Sequence, residues 1–197
     1  ILERNAIHLE KDYNNLFGYT YSIISSRGCP YACTYCSNNF YLENTTKKFF
    51  RKRSVSNFID ELKFAKDRYK IGHVMFESDN ALAFNDDEFD NFILQYRSKI
   101  NLPFNCYTTP NYVRKDRMER LVDIGLSAIS VGIQSGSEKT LNLYKRKYYN
   151  IQQVVEAGRI LDKFYPKLSY NFDLILDNPY ETKEDIKQTI SLLEKLP

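Results

Sequence analysis

Residues 21–36 read YSIISSRGCPYACTYC: a short apolar run that breaks at Arg27-Gly28 and gives way to three cysteines within eight positions. The run has the length and side-chain character of a strand, and the Gly-Cys-Pro that follows marks the turn where a strand ends. Downstream, residues 58–69 place Phe58, Leu62, Ala65 and Tyr69 at helical spacing, and residues 73–77 (HVMFE) are the next strand-like run. Asn85 with Glu88 three residues on is a capping-box pattern that opens a helix at Asp86. Residues 103–108 (PFNCYT) predict a third strand, and 115–124 a third helix closed by Gly125. Residues 128–133 (AISVGI) predict a fourth strand; Ser137 caps a short helical turn, and Asn150 with Gln153 opens a longer helix to Lys163. Residues 168–176 (LSYNFDLIL) predict the fifth strand, and Thr182 with Asp185 starts a helix that ends near Leu196.

Strand and helix thus alternate strictly through five units, which predicts an α/β fold of parallel strands with helical crossovers. Two architectures satisfy the alternation: an open doubly wound sheet, or a barrel related to the eight-fold (β/α) type. No Gly/Ser-rich or low-complexity tract interrupts the series, so residues 21–197 are expected to form one domain behind an arm of residues 1–20.

The composition of the 197 residues, 43% hydrophobic and 27% charged, is that of a folded globular chain and excludes a disordered tail. The balance of 28 Lys and Arg against 25 Asp and Glu leaves +3, too slight to imply a polyanionic partner. No apolar run approaches the ~18 residues needed to span a bilayer. The first fifteen residues are too charged for a signal peptide, so the expected address is the cytoplasm with no membrane partner.

Cys29, Cys33 and Cys36 form CxxxCxxC directly after the first predicted strand. Such a cluster is unlike a distributed disulfide framework and points to metal or redox chemistry. Thiolates suit iron–sulfur clusters or zinc. An all-cysteine cluster takes four thiolates, and the loop offers three. Three thiolates on a four-iron cluster leave one iron open to a substrate or cofactor. A zinc ribbon would pair two CxxC knuckles, and there is no second one. Polar groups also follow each of the other apolar runs: Glu77-Ser78-Asp79-Asn80, Tyr107-Thr108-Thr109, Gln134-Ser135-Gly136-Ser137 and Asp177-Asn178. A parallel barrel carries its chemistry at those strand ends.

The spacing, with the aromatic Tyr35 before the last cysteine, resembles the radical S-adenosylmethionine (radical SAM) superfamily and its CxxxCxΦC motif. The likeness extends from about Ser25 to the C-terminus and is strongest to the cobalamin-dependent branch. The SRGCPxxCxFC opening corresponds to residues 26–36, the aromatic-x-Asp-Asp turn to 76–79, the Gly-Ile-Glu-Ser-Gly-Ser segment to 132–137, and the Pro-x-Glu-Thr helix start to 179–182. The resemblance implies a partial barrel of six units, of which five are present. It also implies that the sequence is a piece of a longer enzyme whose cobalamin-binding domain lies upstream.

By the same resemblance, Cys29, Cys33 and Cys36 hold a 4Fe–4S cluster whose open iron is chelated by S-adenosylmethionine. One electron from a reductant such as flavodoxin or ferredoxin cleaves that cofactor to methionine and a 5′-deoxyadenosyl radical. Tyr35 is expected to pack near the adenine through its backbone. Glu77 or Asp79 receives the amino group, since Ser78 replaces one acidic residue of the family motif, and Gln134 or Ser135 contacts the ribose. Asp173 and Asp177 stand where the family's adenine-side motif has glycines. Arg146 matches a basic position after strand four and pairs with the cofactor carboxylate, a solvated helix end being its other reading. Methyl transfer or another C–H functionalisation of an unknown substrate is the implied reaction. The alternative is a non-catalytic iron–sulfur electron-transfer module or a zinc-stabilised interaction domain.

Cys106 reads as a small buried strand residue, the alternatives being a fourth ligand or a radical relay. With no other thiol unassigned, a second cluster on this chain is not expected, which argues against a self-contained methylthiotransferase. Of the two histidines, His8 and His73, the latter begins a strand and reads as structural. The basic run of residues 47–53 (KKFFRKR) interleaves charge with aromatics in a way that suits nucleic acid. It is read instead as a solvated or cofactor-side loop leading into the first helix.

Overall fold

The computed structural model describes residues 2–3, 6–7, 19–45 and 49–197. Strands β1 (Leu2–Glu3) and β2 (Ala6–Ile7) pair antiparallel. Then come β3 (Thr20–Ile23), β4 (Ser26–Arg27), α1 (Ser37–Asn44), β5 (Arg51–Lys52), α2 (Val55–Arg68), β6 (His73–Phe76), α3 (Asp86–Gln95), β7 (Phe104–Thr108) and α4 (Lys115–Asp123). The chain continues through β8 (Leu126–Gln134), α5 (Glu138–Leu143), α6 (Ile151–Asp162), β9 (Ser169–Leu174) and α7 (Lys183–Leu193). His8, Lys47 and Lys48 lie outside the described residues.

The main sheet runs β3-β6-β7-β8-β9, and every neighbouring pair is parallel. Strand order follows chain order without a reversal, whereas a doubly wound sheet reverses at a switch point. The five βα units are therefore a partial barrel. The sheet's two outer strands, β3 and β9, each have one strand neighbour among the described residues.

The predicted caps set the helix starts. Asn85 and Glu88, Asn150 and Gln153, and Thr182 and Asp185 each form a reciprocal capping box. Helix α2 begins at Val55, three residues before the periodic stretch, because the Ser54 hydroxyl accepts from the Asn57 amide. It buries Val55, Phe58, Ile59, Leu62 and Ala65 along one face. An aromatic cluster fills the space between α2, α3 and the sheet: Phe58, Phe76, Phe92, Tyr96 and Phe104 are all buried. Phe92 sits among the others, 5.9 Å from both Phe58 and Phe76 and 5.3 Å from Tyr96 between ring centroids.

Helix α1 and the antiparallel β4–β5 pair were not predicted. Phe40, Tyr41 and Leu42 of α1 are exposed side by side, so no apolar stripe announces a helix. Two-residue strands are too short for an alternation to register. Of the basic run, Lys52 is paired with Glu88, and Arg53 with Glu61 at 2.6 Å. Gly28, at φ +77°, turns the chain from β4 into the cysteine loop, a conformation that an L side chain resists. A Cβ there would stand 2.7 Å from the Phe49 ring.

Helix α7 is tied to the end of β8 by polar contacts rather than by a large apolar face. Ser137 donates to Asp185 at 2.7 Å, Lys139 reaches the same carboxylate at 2.9 Å, and the Gly136 amide donates to Thr189 at 2.9 Å. A Cβ on Gly136 would fall 2.6 Å from the Thr189 Cα, so only glycine admits α7 this closely. Hydrogen bonds from Thr182 and Ser137, with Lys139, hold the Asp185 carboxyl well below the usual carboxylate range. Its stabilisation is complete above the unfolded value of about 3.9 and is lost as pH falls toward the lower folded value. Asp185→Asn should lower the thermal midpoint at pH 7, and the gap to the unsubstituted chain should narrow as melts are run toward pH 3. A gap that stays constant with pH would show that this carboxylate's charge does not stabilise the fold. The exposed side of α7 carries Ile186, Ile190 and Leu193.

Candidate functional site

The C-terminal ends of β3, β6, β7, β8 and β9 meet around one cavity of about 420 Å³. Its wall includes Cys29, Cys33 and Cys36 from the loop after β3, and Glu77 and Asp79 after β6. Tyr107 and Thr108 of β7, Gln134 of β8 and Asp173 of β9 close the circuit. The volume is within the range of small-molecule and cofactor sites, roughly 300–1,000 Å³.

All four cysteines are free thiols. Cys33 is buried, while Cys29 and Cys36 are partly exposed toward the cavity. Burial pushes the Cys29 thiol up to about 11, opposed by a hydrogen bond with the Tyr31 backbone. Cys36 is the N-cap residue of α1, in an extended conformation and with no capping bond of its own, so its sulfur stays available. Asn38 donates to that sulfur at 3.6 Å. Among the described residues, no three His, Cys, Asp or Glu side chains converge closely enough to share a single metal ion. The three thiols line a common cavity, and their soft donor chemistry suits an iron–sulfur cluster or zinc. Cys106 is buried in the apolar core, its thiol pushed up to about 12 by that burial, and contributes nothing to this wall.

Glu77 and Asp79 are exposed and two residues apart, on the same side of the chain leaving β6, and both line the cavity. Ser78 between them is buried, and its hydroxyl accepts from the Ser25 amide at 2.9 Å and the Ser26 amide at 3.2 Å. The serine that replaces an acidic residue thus pins the start of the cysteine-bearing loop to β6.

Gln134 lines the cavity at φ +64°, where the chain turns out of β8. Ser135 does not line it. That side chain is 1% exposed, donates to Glu181 at 3.1 Å, lies 3.3 Å from the Thr189 hydroxyl and accepts from the Ser137 amide at 3.1 Å. The expected ribose contact from Ser135 is therefore corrected: its hydroxyl is engaged in holding α7.

Arg146 is only 4% exposed, which removes the reading of a solvated helix end. It donates from Nε to the Tyr149 hydroxyl at 2.8 Å, from Nη1 to the Tyr35 hydroxyl at 2.7 Å and to Cys33 Sγ at 3.6 Å, and from Nη2 to the Gly132 carbonyl. Tyr148, stacked on Tyr31 at 3.6 Å between centroids, brings its hydroxyl within 3.3 Å of Cys33 Sγ. Tyr148 and Asn38 were missed by the sequence reading; neither stands in a motif, and only the folded loop brings them to the sulfurs.

A second cavity of about 540 Å³ opens on the other side of Tyr35, lined by Tyr144, Ile175, Leu176, Asp177 and Tyr180 among others. Asp177 adopts φ +59°, the left-handed region that Asp tolerates better than most side chains. The two aspartates at the strand-five glycine positions thus divide, Asp173 facing the thiols' cavity and Asp177 the second one.

Known proteins resemble the chain in both sequence and fold. It is 24% identical over 185 residues to a tRNA-2-methylthio-N(6)-dimethylallyladenosine synthase of Sulfurihydrogenibium sp. (strain YO3AOP1), covering 90% of this chain and 41% of that protein. It is 25% identical over 174 residues to an uncharacterized methyltransferase of Pyrococcus horikoshii, covering 88% and 36%. The chain thus spans about two fifths or less of the length of these curated relatives. In fold it matches the cobalamin-dependent S-adenosylmethionine radical enzyme OxsB with aqua-cobalamin bound, at TM-score 0.71, 18% identity and coverage of 88% and 26%. It also matches the radical S-adenosylmethionine methyltransferase TsrM from Kitasatospora setae with cobalamin and a [4Fe-4S] cluster bound, at TM-score 0.73, 16% identity and coverage of 91% and 36%. No helix among the described residues is long and apolar enough to cross a membrane. The profile of the Radical SAM superfamily matches residues 23–193, nearly the whole of the partial barrel, and the chain belongs to that superfamily.

Proposed function

We propose that this chain is the cofactor-binding core of a radical SAM enzyme, with a 4Fe–4S cluster held by Cys29, Cys33 and Cys36. The observation that carries the reading is the shared cavity at the C-terminal strand ends, lined by three thiols, three carboxylates (Glu77, Asp79 and Asp173) and a glutamine. When bound, the cluster supplies one electron that cleaves S-adenosylmethionine, and the cofactor supplies a radical able to abstract hydrogen from a substrate.

The chain's own residues bind and orient. Glu77 and Asp79 receive the cofactor's ammonium group by charge-assisted hydrogen bonds. Gln134 offers both a donor and an acceptor to the ribose hydroxyls. The Tyr35 backbone and the apolar second cavity beside it take the adenine, with Tyr144 and Ile175 on its walls. The fold likeness to OxsB and TsrM supports a reaction that draws on cobalamin from outside this chain, namely methyl transfer or another C–H functionalisation. Methylthio transfer is the activity in the name of one relative, but a second cluster would need thiols from elsewhere, because Cys106 is enclosed in the core. A flavodoxin- or ferredoxin-type reductant completes the system.

Anaerobic reconstitution with iron and sulfide tests the reading. About three to four irons per chain, and 5′-deoxyadenosine released on adding S-adenosylmethionine and a reductant, are the expected results. Stoichiometric zinc with no iron uptake would overturn it.

The ammonium contact has its own test in Glu77→Gln and Asp79→Asn. A hydrogen bond to a charged group contributes about 1.5–3 kcal/mol, so the variant that loses it should bind S-adenosylmethionine roughly 10- to 150-fold more weakly by calorimetric titration. Unchanged affinity in both variants would remove this pair from the site.

A further inference from the structure

Two arginines are buried among the described residues, and they are accommodated differently. Arg117 pairs with the Asp86 carboxylate at 2.7 Å. Arg146 has no carboxylate partner among the described residues: its donors meet two phenols, a carbonyl and the sulfur of Cys33. Its guanidinium also lies 5.2 Å from the Tyr148 ring centroid and 5.1 Å from that of Tyr149. Phenols and carbonyls satisfy hydrogen bonds but do not neutralise a charge, and an unpaired buried cation is costly. An arginine cannot shed its proton to escape that cost. The group beside it able to become an anion on binding metal is the Cys33 thiol, with the cluster behind it.

From this we propose that Arg146 is the counter-ion of the thiolate-bound cluster and, with the Tyr148 hydroxyl on Cys33 and the Asn38 amide on Cys36, sets the potential at which the cluster accepts its electron. The inference rests on the proposed 4Fe–4S site and assigns Arg146 a role separate from holding the cofactor's carboxylate. Reduction adds one negative charge to a cluster that already carries thiolates. A fixed positive charge and hydrogen bonds to the sulfurs favour the reduced state and raise the potential. Arg146 acts here through Cys33 and is a positioning and charge-compensating residue.

The test is a redox titration of the reconstituted full chain without S-adenosylmethionine, followed by electron paramagnetic resonance of the reduced cluster. Arg146→Gln should bind the same iron as the unsubstituted chain, yet hold an at least about tenfold smaller reduced-to-oxidised ratio at a given potential. For one electron that is a shift of about 59 mV to more negative values. Arg146→Lys, which keeps the charge, should restore most of it. Tyr148→Phe leaves the ring on Tyr31 and removes only the hydroxyl, so it should give a smaller shift of the same sign, as should Asn38→Ala.

Unchanged potentials across these variants would overturn the proposal, even if Arg146→Gln then bound S-adenosylmethionine poorly; that pattern would return Arg146 to the cofactor carboxylate. If Arg146→Gln fails to fold, Tyr148→Phe and Asn38→Ala decide, and unchanged potentials in both overturn it. Absence of iron in the unsubstituted chain is a different failure and falls on the cluster site itself.

Discussion

Cys29→Ala, Cys33→Ala and Cys36→Ala should each leave the chain with less than about one iron after anaerobic reconstitution, against the three to four expected when all three thiolates are present. The loss should be nearly all-or-none because two thiolates cannot enclose a four-iron cluster, and no other sulfur reaches the cavity wall. Cys106→Ala is the internal control. That thiol lies in the apolar core, and its removal should leave iron content and the visible charge-transfer absorbance unchanged. Iron retained in all three loop variants would disconnect the cysteine motif from the metal. Cys33→Ala has an added consequence, because it leaves the Arg146 guanidinium without the sulfur it faces. It should therefore also be the least stable of the three without metal, measurable as the lowest melting temperature in the set.

The second large effect is on the fold. Phe92→Ala should cost about 3–5 kcal/mol, the usual range for removing a buried phenylalanine. For a chain of this size that is a fall in melting temperature of roughly 6–20 °C, at about 2–4 °C per kcal/mol. The reason lies in its neighbours: Phe84 stacks on its ring, Phe58 and Tyr96 tilt against it, and Phe76 and Phe104 meet it edge to face. These rings come from α2, β6, the loop before α3, the turn after it, and β7, so the void opens where three consecutive βα units meet and cannot close by moving one side chain. Phe76 directly precedes Glu77, and slack in the cluster should reach the cavity wall as weaker cofactor binding. Phe92→Leu should recover a good part of the loss. A melting temperature within a few degrees of the unsubstituted chain for Phe92→Ala would mean that the cluster repacks freely.

The strand–helix alternation was legible because each parallel strand is a short apolar run and each following helix announces its start with a cap. Asn85, Asn150 and Thr182 each bond as their spacing predicts. The alternation alone did not choose between barrel and doubly wound sheet, since it produces both and only strand order separates them; it was the resemblance carried by the cysteine motif that implied the barrel. At the site, the three cysteines and Glu77, Asp79 and Gln134 could be selected because they follow strand ends, where a parallel fold collects polar groups. Ser135 follows the same rule and was selected wrongly: the turn after β8 points it at Thr189 and Glu181, a direction that depends on where α7 docks. Arg146 illustrates the opposite limit. A residue within LYKRKYY has every local sign of a solvated surface, and its burial follows from three tyrosines, the adjacent Tyr148 and Tyr149 and the distant Tyr35, closing over it.

The outer edge of β9 has a colloidal consequence. Among the described residues β9 has a strand neighbour on one side only, and such a strand presents unpaired amides and carbonyls, a template for another extended segment. The helix that follows it exposes Ile186, Ile190 and Leu193, which adds apolar attraction. The net charge of +3 supplies little long-range repulsion against such encounters. Samples of this chain should therefore grow turbid with rising concentration and salt, and a lysine placed at Ile190 should delay that onset without touching the cavity that holds the thiols.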